Sequence, residues 1–419
     1  MQRLQRLPRP DPSTPTPKRF LNATHRTLDP GETVERLRPL LPRFGITRVA
    51  NVTGLDHIGI PVIMVCRPNS RSVAVSQGKG LTLNAAKASG IMESIELWHA
   101  ERIDAPLRLA SHAELAARRR AVDVSLLPRR RMGRYAPELP LLWIEAHDLV
   151  SDQAVWLPYE VVTMASTLPL PAGSGCFIGT SNGLSSGNHL LEAISHGICE
   201  VVERDATSLW HARRQFPSPE RVVDLATVDD PWCREAIDRC AAAGVRVVAW
   251  DITSDIALPV FACFITEPDA LRPIRASAIG YGCHPDRGVA LFRALSEAVQ
   301  SRLTYIAGSR DDIFRREYED NLRTRENIAQ LQALLDVPPA RRFTDAPTHA
   351  NDTLDADVEL ELAALRAVGL RQVLAIDLTD PGVGIPVVRV VVPGLEAADS
   401  DPDYVMGARA RAAAGAGAP

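Results

Sequence analysis

Asn188, Glu192, Glu200 and Glu203 stand in the stretch SGNHLLEAISHGICEVVERDA, residues 186–206. At about 100° per residue, a helix there gathers these four side chains into a sector of roughly 120°. Leu190, Leu191, Ile194, Ile198, Val201 and Val202 fill the opposite sector. Carboxylates and a carboxamide are oxygen donors, the set that a hard cation such as Mg2+ takes together with substrate phosphates. A single acidic stripe on a helix is more often a face turned to water. Water-facing helices, however, usually set Lys or Arg three or four positions from their acids for mutual support, and neither Glu192 nor Glu203 has one.

A second helix repeats the design. In VSQGKGLTLNAAKASGIMESIELWHAER, residues 75–102, a helix from Leu83 puts Ser89, Glu93 and Glu96 in one narrow sector, and Ile91, Met92, Ile95 and Trp98 on the far side. Acids clustered without basic partners repel one another by a few tenths of a kcal/mol per pair when solvated, and by more when buried. A divalent cation removes that cost, so the two stripes point to a nucleotide–metal cluster between two helices. SQGKGLT, residues 76–82, adds to this. Gly78 and Gly80 open the backbone to close approach, Lys79 brings a point charge, and the helix start behind them turns free N–H groups towards an anion. This is not a Walker-type phosphate loop, which needs four residues between its first Gly and Gly-Lys and then Ser or Thr. A plain strand-to-helix turn is the competing reading. In a third helix, RGVALFRALSEAVQSRL (287–303), Arg293, Glu297 and Gln300 share a face, with Arg302 following. Arg293 and Glu297 are either a helical salt bridge worth a fraction of a kcal/mol or groups aimed at the charge of a transferring phosphoryl group.

Taken in order, these pieces resemble the YcaO family of ATP-dependent enzymes that modify peptide backbones. They are GKGLT, S-x-x-x-E-x-x-E (Ser89, Glu93, Glu96), N-x-x-x-E-x7-E-x-x-E-R-D (Asn188, Glu192, Glu200, Glu203, Arg204, Asp205) and R-A-L-S-E-A-x-Q-S-R (Arg293 to Arg302). The likeness runs from about residue 55 to about residue 396, ending in IPVVRVVVPGLE. It implies a mixed α+β fold, a single large domain with an ATP cleft between carboxylate-bearing helices and a sheet. By motif it implies Glu93, Glu192 and Glu203 as Mg2+ ligands, with Glu96, Glu200 and Glu297 at the metal cluster. Lys79, Ser89, Asn188, Arg204 and Arg293 are its implied contacts to ATP, with Glu96, Glu200, Gln300 and Arg302 beside them. Arg293, Glu297 and Arg204 are its candidates for the phosphoryl-transfer chemistry. Many members have Arg after the second Glu of the first helix, where this chain has Leu97, which leaves Arg302 or Arg310 to compensate.

The chemistry implied is phosphorylation, by ATP, of the oxygen of an amide to which a nucleophile has added. A side-chain Cys, Ser or Thr of the substrate then gives an azoline, and an external sulfide equivalent gives a thioamide. Azoline-forming members often carry a fused amino-terminal partner domain and end in Pro-x-Pro-x-Pro. Here a short arm precedes the domain and the chain closes on GAGAP. LLPRFGITRVANVTGLDHIGIPVIMVCRPNSRS, residues 40–72, is similar to stand-alone members accompanied by a separate TfuA protein and associated with thioamidation. The expectation is thioamide formation on a ribosomally synthesised peptide or protein with a TfuA-like partner. Azoline cyclodehydration with a separate partner protein, and a non-catalytic ATP-binding scaffold, stand as alternatives. A homodimer is usual for the resemblance.

The elements that must position these residues are partly legible. Apolar, β-branched runs at 60–65, 154–162, 244–252, 258–265, 372–378 and 385–392 predict strands. Amphipathic spacing predicts long helices over 83–103, 188–212 and 286–307, and shorter ones over 34–43, 111–120, 231–243, 323–335 and 357–367. Strands and helices alternate without a clean βαβ rhythm, and no repeat of fixed period appears. The expected organisation is a Pro-rich disordered arm (1–20), one catalytic domain (21–397) and a flexible tail (398–419). Hydrophobic content of 46%, charge of 23% and a net charge of −4 describe an ordinary globular chain with no bulk attraction to nucleic acid. No apolar run or signal layout points to a membrane or to export, so the cytoplasm is expected. Seven scattered cysteines without a Cys-x-x-Cys pair suit a reducing compartment, and Cys199 reads as a buried structural thiol. The triplets Arg118–Arg120 and Arg129–Arg131 read as a solvated face or as a dock for an acidic partner.

Overall fold

Each helix that carries the candidate acids starts where a side chain can take up its free N–H groups. Thr82 Oγ1 accepts the Ala85 N–H at 3.1 Å, His189 Nδ1 accepts that of Leu191 at 3.2 Å, and Asp286 accepts those of Gly288 and Val289. The third helix ends on Gly308, whose φ of 58° is the left-handed conformation that glycine adopts freely. These signals place the helices at Leu83–Ala100, Leu190–Ala212 and Arg287–Ala307, close to the expected spans.

The computed structural model describes residue 7 and residues 14–117, 120–213, 218–267, 277–313, 335–397 and 403–416. In chain order the first elements are α1 (Pro30–Leu37), β1 (Arg48–Asn51), β2 (Val62–Cys66), β3 (Val75–Lys79), α2 (Leu83–Ala100), β4 (Leu107–Ala110) and α3 (His112–Ala116). Then come β5 (Leu141–Asp148), β6 (Gln153–Pro158), β7 (Leu184–Ser186), α4 (Leu190–Ala212), β8 (Val223–Asp224), α5 (Pro231–Ala242), β9 (Arg246–Asp251) and β10 (Val260–Thr266). The chain continues through β11 (Ser277–Cys283), α6 (Arg287–Ala307), β12 (Arg341–Arg342), α7 (Leu354–Ala367), β13 (Leu374–Asp377), β14 (Val387–Val391) and α8 (Ala408–Ala416). Sequence reading does not anticipate β1, β3, β4, β5, β7, β8, β11 or β12, and the helix expected over 323–335 lies outside the described residues apart from Leu335. No helix among the described residues is long and apolar enough to cross a membrane.

Where one large domain is expected, the chain divides into two compact units, and one of the crossings between them falls within α2 between Ser94 and Ile95. The unit holding the described parts of Arg19–Ser94 and Gln215–Ala350 builds one motif twice. Strands β1, β2 and β3 form an antiparallel meander that feeds α2, and β9, β10 and β11 form another that feeds α6. In both, glycines bring the third strand onto the backbone of the helix that follows. A Cβ on Gly78 would lie 2.1 Å from Ala86 O and Gly90 N, and one on Gly282 would lie 2.2 Å from Ala290 O. Helix α5 packs on α6 and β9, and Ile237, Phe261, Leu295 and Phe343 share the core of this unit with Ile60 and Val62.

The other unit holds the described parts of Met1–Lys18, Ile95–Arg214 and Asn351–Pro419. Its sheet runs β4-β5-β13-β14-β7, with β6 beside β5, and every pairing is antiparallel. Helix α4 packs on β7 and β14, and α7 and α8 pack on α4. Trp143, Leu157, Phe177 and Ile376 belong to the core.

Both ends of the chain make contacts where they are described. The arm expected to be disordered over 1–20 is tied down where it is described. Pro17 bridges Thr353, and Lys18 Nζ meets Asp357 at 2.6 Å with both side chains 1% exposed. The tail expected to be flexible over 398–419 contains α8, because Ala410 and Ala413 bury against Leu209 and Ala212. Glu396 accepts the N–H groups of Gly407 and Ala410 and the Tyr404 hydroxyl. Arg409 closes the assembly by binding both oxygens of the buried Asp205, at 2.9 to 3.1 Å. Arg409→Ala leaves the Asp205 charge buried and unpaired, with an expected loss of about 3 kcal/mol in denaturant unfolding.

The second Arg triplet is engaged by the chain itself. Arg129 lies 4.9 Å over the Tyr135 ring, Arg130 bonds Phe177 O and Asp403, and Arg131 bonds Tyr404 O. Arg120 reaches Ser151, and Arg118 and Arg119 lie outside the described residues. All seven cysteines are free, and Cys199 is buried as expected.

Candidate active site

The acidic stripe of α4 does not face water. Glu192 is 1% exposed and Glu203 3%, while Asn188, Glu200 and Arg204 are half-buried. Carboxylates are taken out of water only where hydrogen bonds or positive charge replace the lost hydration. Glu192 accepts the backbone N–H of Asn188 at 2.7 Å. Glu96, near the end of α2, accepts the Ser186 hydroxyl at 2.6 Å. The β7–α4 junction thus gathers Glu96, Ser186, Asn188 and Glu192. Gly187 makes the junction tight enough, since a Cβ there would lie 2.5 Å from the Glu192 Cβ.

Behind the stripe, α4 is pinned to α7. Ser195 Oγ–H donates to Glu361 Oε1 at 2.6 Å, and Cys199 S–H donates to the same oxygen at 3.4 Å. Glu361 is fully buried, and burial pushes its carboxyl well above the ordinary value of 4.5. An acid held protonated by the fold gives stability that is present at low pH and is lost as pH rises from 4.5 through the raised value. Glu361→Gln keeps the acceptor for Ser195 and cannot ionise. Its melting temperature is therefore expected to fall less than that of the wild type as pH is raised, which melting curves across a pH series measure.

The other unit repeats its motif at the level of single atoms. The Gln77 N–H in β3 points to Glu93 Oε2 at 3.4 Å, and the Tyr281 N–H in β11 donates to Glu297 Oε1 at 3.3 Å. Each Glu lies sixteen residues beyond its donor, on the helix that follows. Lys79 Nζ binds Glu297 at 2.7 Å. Burial pushes Glu93 up to about 7, against the lowering effect of Arg310 and Lys79, and the Glu297 charge adds to the rise. Two carboxylates close enough to repel, with oxygen as the only donor type, suit Mg2+.

Several residues do other work than the sequence suggests. Gly78 and Gly80 serve strand–helix packing rather than approach to a ligand, since a Cβ on Gly80 would lie 2.6 Å from the Ala85 Cβ. Arg302 is spent on a buried network, bonding both oxygens of Asp56 at 2.8 and 3.2 Å and pairing with Glu267, so it neither compensates for Leu97 nor remains for ATP. Arg310 pairs with Asp312 and acts electrostatically on Glu93. Ser89, Arg293 and Gln300 are half-buried on their helices, the last two on the α6 face of Glu297. Among the described residues, neither unit by itself holds three of the candidate carboxylates with oxygens within 4.8 Å of one another. Sequence reading missed Ser186, Gln77, Tyr281, Glu361 and Arg389. The sixteen-residue spacing from strand to helix Glu, and a lone Arg in the apolar run IPVVRVVV, are the signals that could have found three of them.

The family description "YcaO cyclodehydratase, ATP- and Mg2+-binding" matches residues 77–396. A protein encoded in the tfuA 3′ region of Rhizobium leguminosarum bv. trifolii is 36% identical over 398 residues, covering 92% of each chain. The YcaO of Methanopyrus kandleri, solved with AMPPCP and Mg2+, shares the fold with a TM-score of 0.72 at 23% identity, over 94% of this chain and 99% of that one. A heterocyclase solved with substrate and cofactor gives a TM-score of 0.75 at 24% identity over 92% of this chain, which spans 54% of the heterocyclase's length. Carboxylate-bearing helices set on antiparallel strands, a motif order matched across most of the chain and a relative of equal length lead to one conclusion: this chain belongs to the YcaO family, whose cofactors are ATP and Mg2+.

Proposed function

We propose that the chain uses Mg2+ and ATP to phosphorylate the oxygen of a peptide backbone amide during thioamide formation on a ribosomally synthesised peptide or protein, with a TfuA-like partner. The observation that carries this reading is the burial of Glu192 and Glu203, at 1% and 3% exposure, on one helix. Glu93, Glu96, Glu192, Glu200, Glu203 and Glu297 are the proposed Mg2+ ligands. Lys79, Ser89, Asn188, Arg204, Arg293 and Gln300 are the proposed contacts to ATP. Bound Mg2+ supplies charge neutralisation on the triphosphate.

In the reaction, a sulfide equivalent adds to the amide carbon, and the carbonyl π electrons become an alkoxide on oxygen. That oxygen attacks the γ-phosphorus of ATP, and ADP leaves with the electrons of the broken P–O bond. Loss of a proton from sulfur and of phosphate from carbon then leaves C=S. Arg293 and Arg204 are placed by type to balance the charge of the transferring phosphoryl group, and holding the reactants in line supplies most of the acceleration. The partner is supported by the relative encoded in the tfuA region. A second reading, azoline formation from a substrate Cys, Ser or Thr, is favoured by the cyclodehydratase description and the heterocyclase fold.

Co-expression with a neighbouring short peptide and a TfuA-like protein, followed by mass spectrometry, separates the two readings. Replacement of one oxygen by sulfur per site is expected for thioamidation, and loss of one water per site marks the azoline. Binding of ATP without turnover, in the presence of substrate and partner, would leave only a scaffold role.

A further inference from the structure

Arg389 lies in β14, between β13 and β7, and is 3% exposed. Its Nη2–H donates to the Thr180 carbonyl at 2.6 Å. Its Nε and Nη1 are buried with no hydrogen-bond partner among the described residues. Asn182, two positions from Thr180, likewise holds a buried Oδ1 with no partner. Burial pushes the guanidinium down to about 10, and Glu200 is the charge that opposes this. Its neighbours in the strand are Val387, Val388, Val390 and Val391, so the sheet needs no charge at this position. A buried cation with two N–H groups unmatched costs several kcal/mol, and one carbonyl bond does not offset that. A site with a fixed positive charge and unspent donors takes an anion. A magnesium nucleotide fits both groups at once, with phosphate oxygens for Arg389 and the cation for Glu200.

We propose that Arg389 is an anion-binding residue that takes a phosphate oxygen of the nucleotide. This rests on the ATP and Mg2+ roles given above. The test compares the full-length wild type with Arg389→Lys and Arg389→Gln. Calorimetry with Mg2+ and a non-hydrolysable ATP analogue gives affinity, and melting curves are taken without ligand and with inorganic phosphate. Arg389→Gln is expected to weaken the analogue by about 10- to 100-fold and to lose the phosphate-induced rise in melting temperature, with its unliganded melting temperature not lowered. Arg389→Lys, which keeps the charge, is expected to retain part of both, and it carries the comparison should the Gln variant not fold. Unchanged affinity and an unchanged phosphate shift in the variants would overturn the proposal. So would a loss of affinity matched by a drop in unliganded stability. If the wild type binds no nucleotide analogue, the nucleotide reading fails separately. The phosphate arm then decides alone: a shift lost in Arg389→Gln keeps the anion site, and a retained shift removes it.

Discussion

Glu203→Gln is expected to lower ATP turnover by at least about 100-fold, with the melting temperature within a few degrees of the wild type. The size follows from the chemistry of the group. Residues that merely orient metal ligands typically cost 10- to 100-fold when removed, so a ligand itself stands at or beyond the upper end of that range. Glu203 is 3% exposed on α4, and Gln has nearly its shape with no negative charge to offer a cation. Stability is expected to hold because a buried carboxylate carries a desolvation cost that its neutral isostere does not. Turnover of ATP with peptide substrate and partner, measured beside a melting curve, gives both numbers. Wild-type turnover in this variant would remove Glu203 from the site. Loss of turnover together with collapse of the melting temperature would make it a structural residue instead.

Gly78→Ala is expected to cost about 3 kcal/mol or more in unfolding free energy. The added Cβ would meet Ala86 O and Gly90 N, both at 2.1 Å, and these are backbone atoms of α2 that cannot swing aside as a side chain can. Gly282→Ala is expected to match it, because its Cβ would meet Ala290 O at 2.2 Å in the second copy of the motif. Gly54→Ala is the control. Nothing lies within 4 Å of its Cβ position, and the expected change is within about 0.5 kcal/mol. Denaturant midpoints measure all three. A Gly78→Ala protein as stable as the wild type but unable to bind nucleotide would restore the other meaning of that glycine, close approach of the backbone to a ligand.

These two positions show what kind of information a sequence holds. Glu203 is legible because a helix turns spacing into direction: positions 188, 192, 200 and 203 share a side by geometry alone, before anything packs on them. Gly78 is visible but ambiguous, since the absence of a side chain says that something comes close and not what. Here it is the backbone of α2. Strands β3 and β11 are hidden for the same reason. VSQGK and SAIGYGC lack the β-branched run that marks a strand, because their glycines face a helix instead of filling a core.

By itself, then, the sequence determined the three long helices, their acidic sectors, six of the strands and the order of motifs that marks the family. All of these are set by residue type and local periodicity. Tertiary structure decided whether those acids meet water, and it placed Glu192 and Glu203 inside. It also assigned Arg302 to Asp56 and Glu267, left Arg389 with donors unspent, turned an expected loose tail into a helix held by Asp205 and Glu396, and divided the chain into two units. Burial and ion pairing join residues tens to hundreds of positions apart, and no local pattern encodes which distant partner a charge will find.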